Sequence, residues 1–523
     1  MPLPDKNTAW PPTAPEIRTA LDDWAAWYSS NPDKIADRYY WRSTRIGQYG
    51  MQPVNRPSQM RGGLIGQLAR FFWGEPVPFG EKRTKLHIPL AGDIARTSAD
   101  LLFSEPATLL ADNKDTQERL EELQETGFNR TLLAAGEISA ALGGVYLRTV
   151  WDDEISERPW IDAVHADAAA PEFKLQTLMA VTFWTVIAVD GTKIVRHLER
   201  HERGGIILHG VYEGSDVNLG KRIDSFDSFP ETKGLTAVRK VDIGRLMTVS
   251  YTPNTVTARA WRDIPGTKGL GLSDYQGSES LFDALDETYT SWMRDIRLGK
   301  GRIIVPSGFL TNNGVGQGMT WEDREVFAGM NIPPTEQGNM ITLNQFKIRN
   351  AEHKATAEEL IRQIIRNAGY STGTFGDDAD GRAITATEIK AKEGRSMSTR
   401  ARKAEMFSVS IPDIVEALLA LENTSLFPGQ GVEMERPTVR FQDSVQDDPL
   451  NLAQTALALR QAEAASTATL VKLTQPDLDT DAQAAEVNRI LAELGRAVND
   501  PTTTGGSGGG FPGDSGGPGP TGP

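Results

Sequence analysis

Ser273–Leu298 reads SDYQGSESLFDALDETYTSWMRDIRL. Leu281, Leu285, Tyr289, Trp292 and Ile296 step by three or four residues, and Phe282 and Met293 widen the stripe. That is the period of an α-helix with one apolar face. The spacing predicts a helix over 274–298, nearly 40 Å long at about 1.5 Å per residue. Its other face carries Asp283, Asp286, Glu287 and Asp295, and Gly299 and Gly301 close it.

Upstream, the period changes. Short segments near 145–151, 159–165, 181–189, 193–201, 205–213 and 245–252 are rich in Val, Ile, Thr and aromatics and read as strands. Asp190-Gly191 lies between two of them and predicts a type I′ hairpin, so the sheet is expected to be antiparallel. Further upstream, Ile17, Leu21, Trp24 and Tyr28 form a helical stripe, 45–85 is irregular, and helices are expected over 91–105, 114–126 and 128–142, with Gly143-Gly144 as a stop.

Downstream comes a compact block. A strand over Arg302–Pro306, a loop over Asn312–Gly318, a short helix over Trp321–Ala328 and a strand over Met340–Phe346 are expected. A helix from about Ala351 to Ala368 follows, and Ser371–Gly381 (STGTFGDDADG) breaks the pattern. A long helix then runs from Ile384 to about Ser410, is kinked or restarted by Pro412, and continues to Leu421. Two long helices thus flank a small α/β insert, and an acidic loop leads into a third. Asp448 with Pro449 and Thr480 with Gln483 mark the starts of later helices. Residues 501–523 hold ten Gly and five Pro and are expected to be disordered.

The whole chain of 523 residues is long enough for about three structural units. With 39% hydrophobic and 24% charged residues, it reads as globular. Its net charge of −15 argues against an ordinary nucleic-acid binder, which carries a Lys/Arg surplus. The absence of Cys excludes disulfides, thiolate nucleophiles and iron–sulfur clusters. No signal peptide and no membrane-length apolar run is visible, so the protein is expected to be made and used in a cytoplasm.

Chemical motifs are scarce. His197-Leu198-Glu199-Arg200-His201 has Leu where a zinc protease needs Glu, and it reads as a strand with His197, Glu199 and His201 on one solvated face. Asp377–Gly381 resembles the start of a calcium loop, but in register Gly376 and Thr387 fall at ligand positions 1 and 12. Gly269–Asp274 lacks the third glycine of a dinucleotide fingerprint, Gly299-Lys300 is no Walker A loop, and the G-x-S-x-G matches around Ser507 and Ser515 sit in the Gly-rich tail. No cofactor, no metal and no catalysis is expected. A hydrolase built on an Asp/Glu pair stays open as an alternative, because such a pair is visible only in space.

Charge is segregated. Arg382, Lys390, Lys392, Arg395, Arg400, Arg402 and Lys403 face only Glu388 and Glu393 within the same stretch. This reads either as a solvated helix face or as a helix packed between subunits, its basic groups meeting acidic neighbours or a polyanion. Directly before it stand Asp377, Asp378 and Asp380.

Three segments carry a family resemblance: Leu86-His87-Ile88-Pro89-Leu90-Ala91-Gly92-Asp93-Ile94-Ala95 with Ser98-Ala99-Asp100-Leu101-Leu102-Phe103; Ser371-Thr372-Gly373-Thr374-Phe375-Gly376; and Thr385-Ala386-Thr387-Glu388-Ile389. In these, and in the order of its parts, the sequence resembles the portal proteins of long-tailed double-stranded DNA bacteriophages, especially those of actinobacterial hosts. The resemblance implies an α+β, mostly helical portal fold. Its parts would be a wing of helices plus antiparallel sheet (1–272, with part of a long tunnel/wing helix at 384–425), stem helices (273–300 and 351–370), a small α/β clip (301–350), a tunnel loop (371–383), a helical crown (426–500) and a Gly/Pro tail (501–523).

It also implies a dodecameric ring at one capsid vertex. DNA enters through that ring, driven by the terminase, and leaves through it on ejection. The implied partners are the large terminase subunit, head-completion adaptor proteins, major capsid and scaffolding proteins, and DNA held weakly, with no membrane. Asp377, Asp378 and Asp380 are expected to face the lumen with Arg382 and Lys390 near it. Leu281, Leu285, Tyr289, Trp292 and Ile296 are expected to pack the stem against ring neighbours, and Asn312, Asn313, Trp321 and Glu322 to meet clip partners. A virion or scaffold-like structural protein without a channel is the alternative within the same class.

Overall fold

The structure is a computed structural model that describes residues 3–4, 6–36, 38, 86–152, 154–256, 261–298, 302–306, 311–312, 319–320, 327–330, 342–344, 348–376, 386–441, 449–475 and 480–493; side chains at 297–298, 302–344, 386–392, 449–452 and 480–481 are outside the description. The expected irregular stretch 45–85 and the Gly/Pro tail lie outside the described residues. The chain divides into two compact units, Met1–Gln442 and Asp443–Pro523.

The first unit opens with helix α1 (Pro15–Tyr28), which buries Ile17, Trp24 and Trp27. Helix α2 (Leu90–Phe103) buries Ile94, Ser98 and Leu102, one residue per turn. A short strand β1 (Thr108–Leu110) precedes α3 (Lys114–Leu123), whose first turn is capped by the Asn113 side chain accepting from Thr116 N. A wide turn at Gln124–Phe128, with Gly127 at φ 117°, leads into α4 (Asn129–Leu142). Gly143 ends it at φ 78°. A side chain there would meet the backbone of Leu272 at 3.0 Å, so glycine is required twice over.

Strands β2 (Gly144–Val150), β3 (Trp160–His165), β4 (Ala169–Lys174), β5 (Thr177–Asp190), β6 (Lys193–Glu202), β7 (Ile206–Ser215), β8 (Asn218–Ile223), β9 (Val238–Lys240) and β10 (Val249–Pro253) follow. They form two antiparallel sheets, β10-β2-β3 and β4-β5-β6-β7-β8, with β9 also on β7. The antiparallel sheet and six of its strands agree with the sequence reading; β4, β8 and β9 were not visible in it.

The hairpin turn differs by one residue. Asp190 pairs with Lys193, so the loop residues are Gly191 and Thr192, and only Gly191 has a positive φ, 59°. Glycine at the first loop position is the mark of a type II′ turn rather than the expected I′.

The face of β6 expected to be solvated is covered. His201 is fully buried, its Nδ1 2.7 Å from Thr248 Oγ1 and its Nε2 2.7 Å from Glu199 Oε1. Arg148 of β2 reaches Glu199 at 2.6 Å, and His197 Nε2 lies 3.1 Å from Nδ1 of His209 with the two rings stacked. Alternation alone put these polar groups outside; Arg148 of the other sheet and Thr248 just before β10 reach Glu199 and His201, and His209 of β7 meets His197. Among the described residues, no group of three or more His, Asp or Glu is arranged to hold a metal ion.

Burial pushes His209 down to about 4 against the pull of Glu199, and burial likewise lowers His197. Burial would raise the Glu199 carboxyl, but His201 and Arg148 outweigh it and hold it well below the usual range. A histidine whose folded value lies below its unfolded value takes up protons first in the unfolded chain. Stability is therefore complete above about pH 6.5 and falls as pH drops towards 4, by up to about 3 kcal/mol for His209. Urea unfolding of His209→Asn at a series of pH values is expected to show a flatter slope than wild type in that window; an identical slope would place the acid sensitivity elsewhere.

Helix α5 (Glu279–Leu298) begins five residues later than the sequence suggests, because Asp274–Ser278 form turns. In the expected clip, β11 (Arg302–Pro306), β12 (Thr311–Asn312), β13 (Met319–Thr320), β14 (Phe327–Met330) and β15 (Thr342–Asn344) are present. Strand β14 runs parallel to β11, which corrects the short helix expected over Trp321–Ala328 at its end; 321–326 are outside the described residues.

Helix α6 (Asn350–Ala368) is followed by α7 (Ala386–Glu422), one continuous helix that contains Pro412. The helix does not restart there. Ile411, Ile414, Val415 and Leu418 are all fully buried, so tertiary packing holds the helix through the missing N–H. Strand β16 (Thr438–Arg440) pairs with β1, which draws residues after the expected crown boundary at 426 onto the first unit. One core cluster joins residues of α1, α2, α4, α5, α6 and α7. The second unit holds helices α8 (Pro449–Gln461), α9 (Thr467–Thr474) and α10 (Thr480–Glu493), with Leu470 and Val471 buried.

Candidate functional site

The two segments that flank the acidic loop, and the segment before α2, meet where α5, α6 and α7 converge. Buried residues on α7 follow a helical stripe: Ser396, Thr399, Lys403, Phe407, Ser410 and Ile414. One member of that stripe is a lysine. Lys403 Nζ donates to Asp274 Oδ2 at 2.6 Å, to Ser98 Oγ at 2.7 Å and to the Tyr370 hydroxyl at 2.8 Å. The Tyr370 hydroxyl in turn donates to Asp274 Oδ2 at 3.0 Å, and Asn254 Nδ2 donates to Oδ1 at 2.8 Å.

All three ammonium hydrogens are thus used, and the carboxylate is bonded on both oxygens. Burial pulls the lysine below its usual value, and Asp274 opposes that pull. Burial raises the Tyr370 hydroxyl well above the usual tyrosine range.

The same junction holds the start of the acidic loop. Ser371 N donates to Ser396 Oγ at 2.9 Å, Thr374 Oγ1 lies 2.7 Å from that hydroxyl, and Thr399 Oγ1 donates to Gly369 O at 2.6 Å. Gly369 sits at φ 94° and ends α6. Before α2, Ile88 N donates to Asp286 Oδ1 at 2.9 Å and His87 Nδ1 lies 2.7 Å from Oδ2. Asp286 is 1% exposed, so the polar face of α5 is partly the seat of residues 87–88 rather than a free surface.

The apolar face of α5 changes along its length. Leu285 and Phe282 are buried in the core, and Leu281 and Tyr289 pack against it. Trp292 stacks on His353 of α6 at 6.2 Å. Asp295 accepts from Arg349 at 2.9 Å and contacts His353 at 3.0 Å. Met293 and Ile296 remain 40% and 41% exposed. The chain itself covers the first half of the expected stem stripe; only the end is open.

Of the other residues expected to act, Asp377, Asp378, Asp380, Arg382, Asn313, Trp321 and Glu322 lie outside the described residues. Asn312 is in β12 and Lys390 in α7, both with side chains outside the description. The junction residues Asp274, Tyr370, Ser98 and Lys403 were not singled out as site residues. Lys403 carried a readable signal, since it stands in register with a buried stripe.

A Ser–Lys pair in hydrogen-bond contact has the geometry of a nucleophile and its base. Here both are at most 3% exposed, and their donors serve packing. A cleft lies instead between residues 12–17, β4 and the 265–270 loop. Its one lining carboxylate, Glu172, accepts from Arg200 at 2.6 Å and is held below the usual range by that bond. It is ionised and single, so this cleft does not supply the acid/base pair of a carboxylate hydrolase.

Residues 266–500 match the family model described as phage portal protein, SPP1 Gp6-like. That stretch is similar to phage portal sequence. The matched region includes α5, α6, α7 and the segments at 371–376 and 385–389, whereas the resembling segment at 86–103 lies before it. No curated protein matches the chain. Solved structures are similar to it, two of them as follows. One, "Neck of empty GTA particle computed with C6 symmetry", is 11% identical over 74% of this chain and 90% of that one, with a TM-score of 0.37. The other, "Neck of native GTA particle computed with C12 symmetry", is 11% identical over 81% of this chain and 99% of that one, with a TM-score of 0.34.

Proposed function

We propose that the chain is the subunit of a dodecameric portal ring at one capsid vertex of a phage virion, assembled in the host cytoplasm. The match of residues 266–500 to the portal family carries this reading. In it, residues 1–272 form the wing, α5 and α6 the stem, 301–350 the clip, 371–383 the tunnel loop, α7 the long tunnel/wing helix and 426–500 the crown. The terminase drives DNA inward through the channel and docks on the clip; head-completion proteins take its place afterwards. Asn312, Asn313, Trp321 and Glu322 are the clip contacts in this reading. The ring sits among capsid and scaffolding proteins.

Two physical points support it. Met293 and Ile296 are an apolar end of α5 that a neighbouring copy would cover. A passage for DNA must also avoid tight binding, since every retained phosphate contact impedes sliding. Asp377, Asp378 and Asp380 facing the lumen would repel phosphates over about 8 Å, one Debye length, with Arg382 and Lys390 near them giving brief contact.

Negative-stain electron microscopy of the purified protein is expected to show end-on rings with a central hole. Particles without axial symmetry, or an aperture narrower than a double helix in every state, would sink the proposal.

A further inference from the structure

We propose that Lys403 and Asp274 are joined by an amide bond that the folded chain forms on itself, without another protein. The proposal does not depend on the ring. The side chains of Lys403 and Asp274 are each 3% exposed, so no substrate in solution meets the amine. A nucleophile closed inside the fold acts only on an electrophile closed in with it. The Asp274 carboxyl group is such an electrophile, in direct contact with Nζ.

Three side chains close a triangle. Lys403 Nζ donates to Asp274 Oδ2 at 2.6 Å and to the Tyr370 hydroxyl at 2.8 Å, and that hydroxyl donates to Oδ2 at 3.0 Å. Oδ2 is bonded to Cγ, so the amine already stands beside the carbon it attacks. Ser98 Oγ accepts from Nζ at 2.7 Å and holds the amine in place. Asn254 Nδ2 donates to Oδ1 at 2.8 Å, the oxygen on which charge develops when Cγ becomes tetrahedral. The same Nδ2 also donates to Leu272 O at 3.0 Å, which fixes its direction. A buried ion pair needs its polar atoms satisfied. These contacts do that, and they also set a nucleophile, an electrophile, a proton carrier and an oxyanion donor around one carbon.

The surroundings favour the uncharged pair. Moving a proton from Nζ to Oδ2 converts ammonium and carboxylate into amine and carboxylic acid, and a dry interior disfavours the charged forms. Burial pulls Lys403 below its usual value, in the direction of that transfer, against the opposing pull of Asp274. Burial also raises the Tyr370 hydroxyl, which keeps its proton and can pass it on.

The step balances. Once the first proton has moved to Oδ2, the Nζ lone pair forms a bond to Cγ, and the carbonyl electron pair moves onto Oδ1, where Asn254 meets it. Tyr370 takes a second proton from Nζ while it passes its own to Oδ2. The Cγ–Oδ2 bond breaks, the Cγ–Oδ1 double bond returns, and Oδ2 leaves as water with both protons. Nothing is oxidised or reduced, and no co-reactant is required. The amide joins α7 to the turn before α5 across 129 positions. Its burial keeps bulk water from reversing the reaction.

The test is intact-mass spectrometry of the full-length protein, purified folded and then denatured. The mass is expected to fall below that of the sequence by one water. Tryptic digestion is expected to give a branched peptide in which Gly269–Arg294 is joined through Asp274 to the peptide that begins at Lys403. Lys403→Arg keeps the charge and is expected to show its full sequence mass. Tyr370→Phe keeps the ring and removes the proton carrier. At equal times after purification its cross-linked fraction is expected to be at least about tenfold lower than wild type, with an unchanged circular dichroism spectrum. Folded wild-type protein that keeps its full mass after days near neutral pH overturns the proposal. So does a loss of water without the branched peptide, the mark of a cyclic imide at an aspartate, and so does the same loss in Lys403→Arg. A folded Tyr370→Phe that cross-links as fast as wild type overturns it too, because the proton route is then wrong. If a variant does not fold, the wild-type mass and peptide map decide by themselves.

Discussion

Arg119→Ala is expected to destabilise the first unit by about 3–5 kcal/mol, read as a lower urea midpoint with an unchanged m-value. The cause is what it leaves behind. Glu422, the last residue of α7, is fully buried, and Arg119 of α3 holds both its oxygens, at 2.7 Å from Nη2 and at 3.1 and 3.2 Å from Nε. A carboxylate at the C-terminal end of a helix also faces the negative pole of the helix dipole, so it depends on its cation.

Arg158 approaches Glu422 at 3.9 Å but is one-third exposed, which makes it a weak substitute. The double variant Arg119→Met/Glu422→Leu removes both charges and is expected to recover most of the loss, since a buried pair is worth little more than apolar groups of similar size. A single variant within about 1 kcal/mol of wild type would show that water reaches Glu422 and that the pair does not hold α3 to the end of α7.

The second large effect is at Lys403. Lys403→Met strips Asp274, 3% exposed at its side chain, of its cation and leaves hydroxyls of Ser98 and Tyr370 without their shared partner. A loss of about 3–5 kcal/mol is expected. Asp274→Asn should cost less, because an amide can still accept from Nζ while the lysine, already pulled down by burial, loses its proton more easily.

The double variant Lys403→Met/Asp274→Asn is expected to be milder than the sum of the two singles by more than about 1 kcal/mol, the sign of direct coupling. Tyr370 adjoins the segment pinned by Ser396 and Thr399, so hydrogen exchange over residues 370–376 should rise sharply in Lys403→Met. Exchange rates equal to wild type there would show that the buried lysine does not set the geometry from which the acidic loop departs.

Much of the fold could be read along the chain. The stripes of α1 and α5 and the helices α2 and α6 appear in the sequence near their observed positions, and the strands β5, β6 and β7 appear with them. The less regular strands were hidden: β4 contains Pro171, β8 contains Gly220, and β16 is three residues long and gains its meaning only from β1. Propensity said that Pro412 would interrupt a helix; a run of fully buried neighbours overrode it. Of the candidate site, the basic character of α7 was legible, but not which of its charges are interior.

The amino-acid order by itself determines which segments are helix or strand, because those signals act between residues a few positions apart. Partnership is a different matter. Lys403 meets Asp274 across 129 positions and Arg119 meets Glu422 across 303. Only packing decides such pairs, since a charge is interior or free according to what the remainder of the chain brings beside it. That is why two arginines of one helix face outward, and the lysine next to them is closed inside.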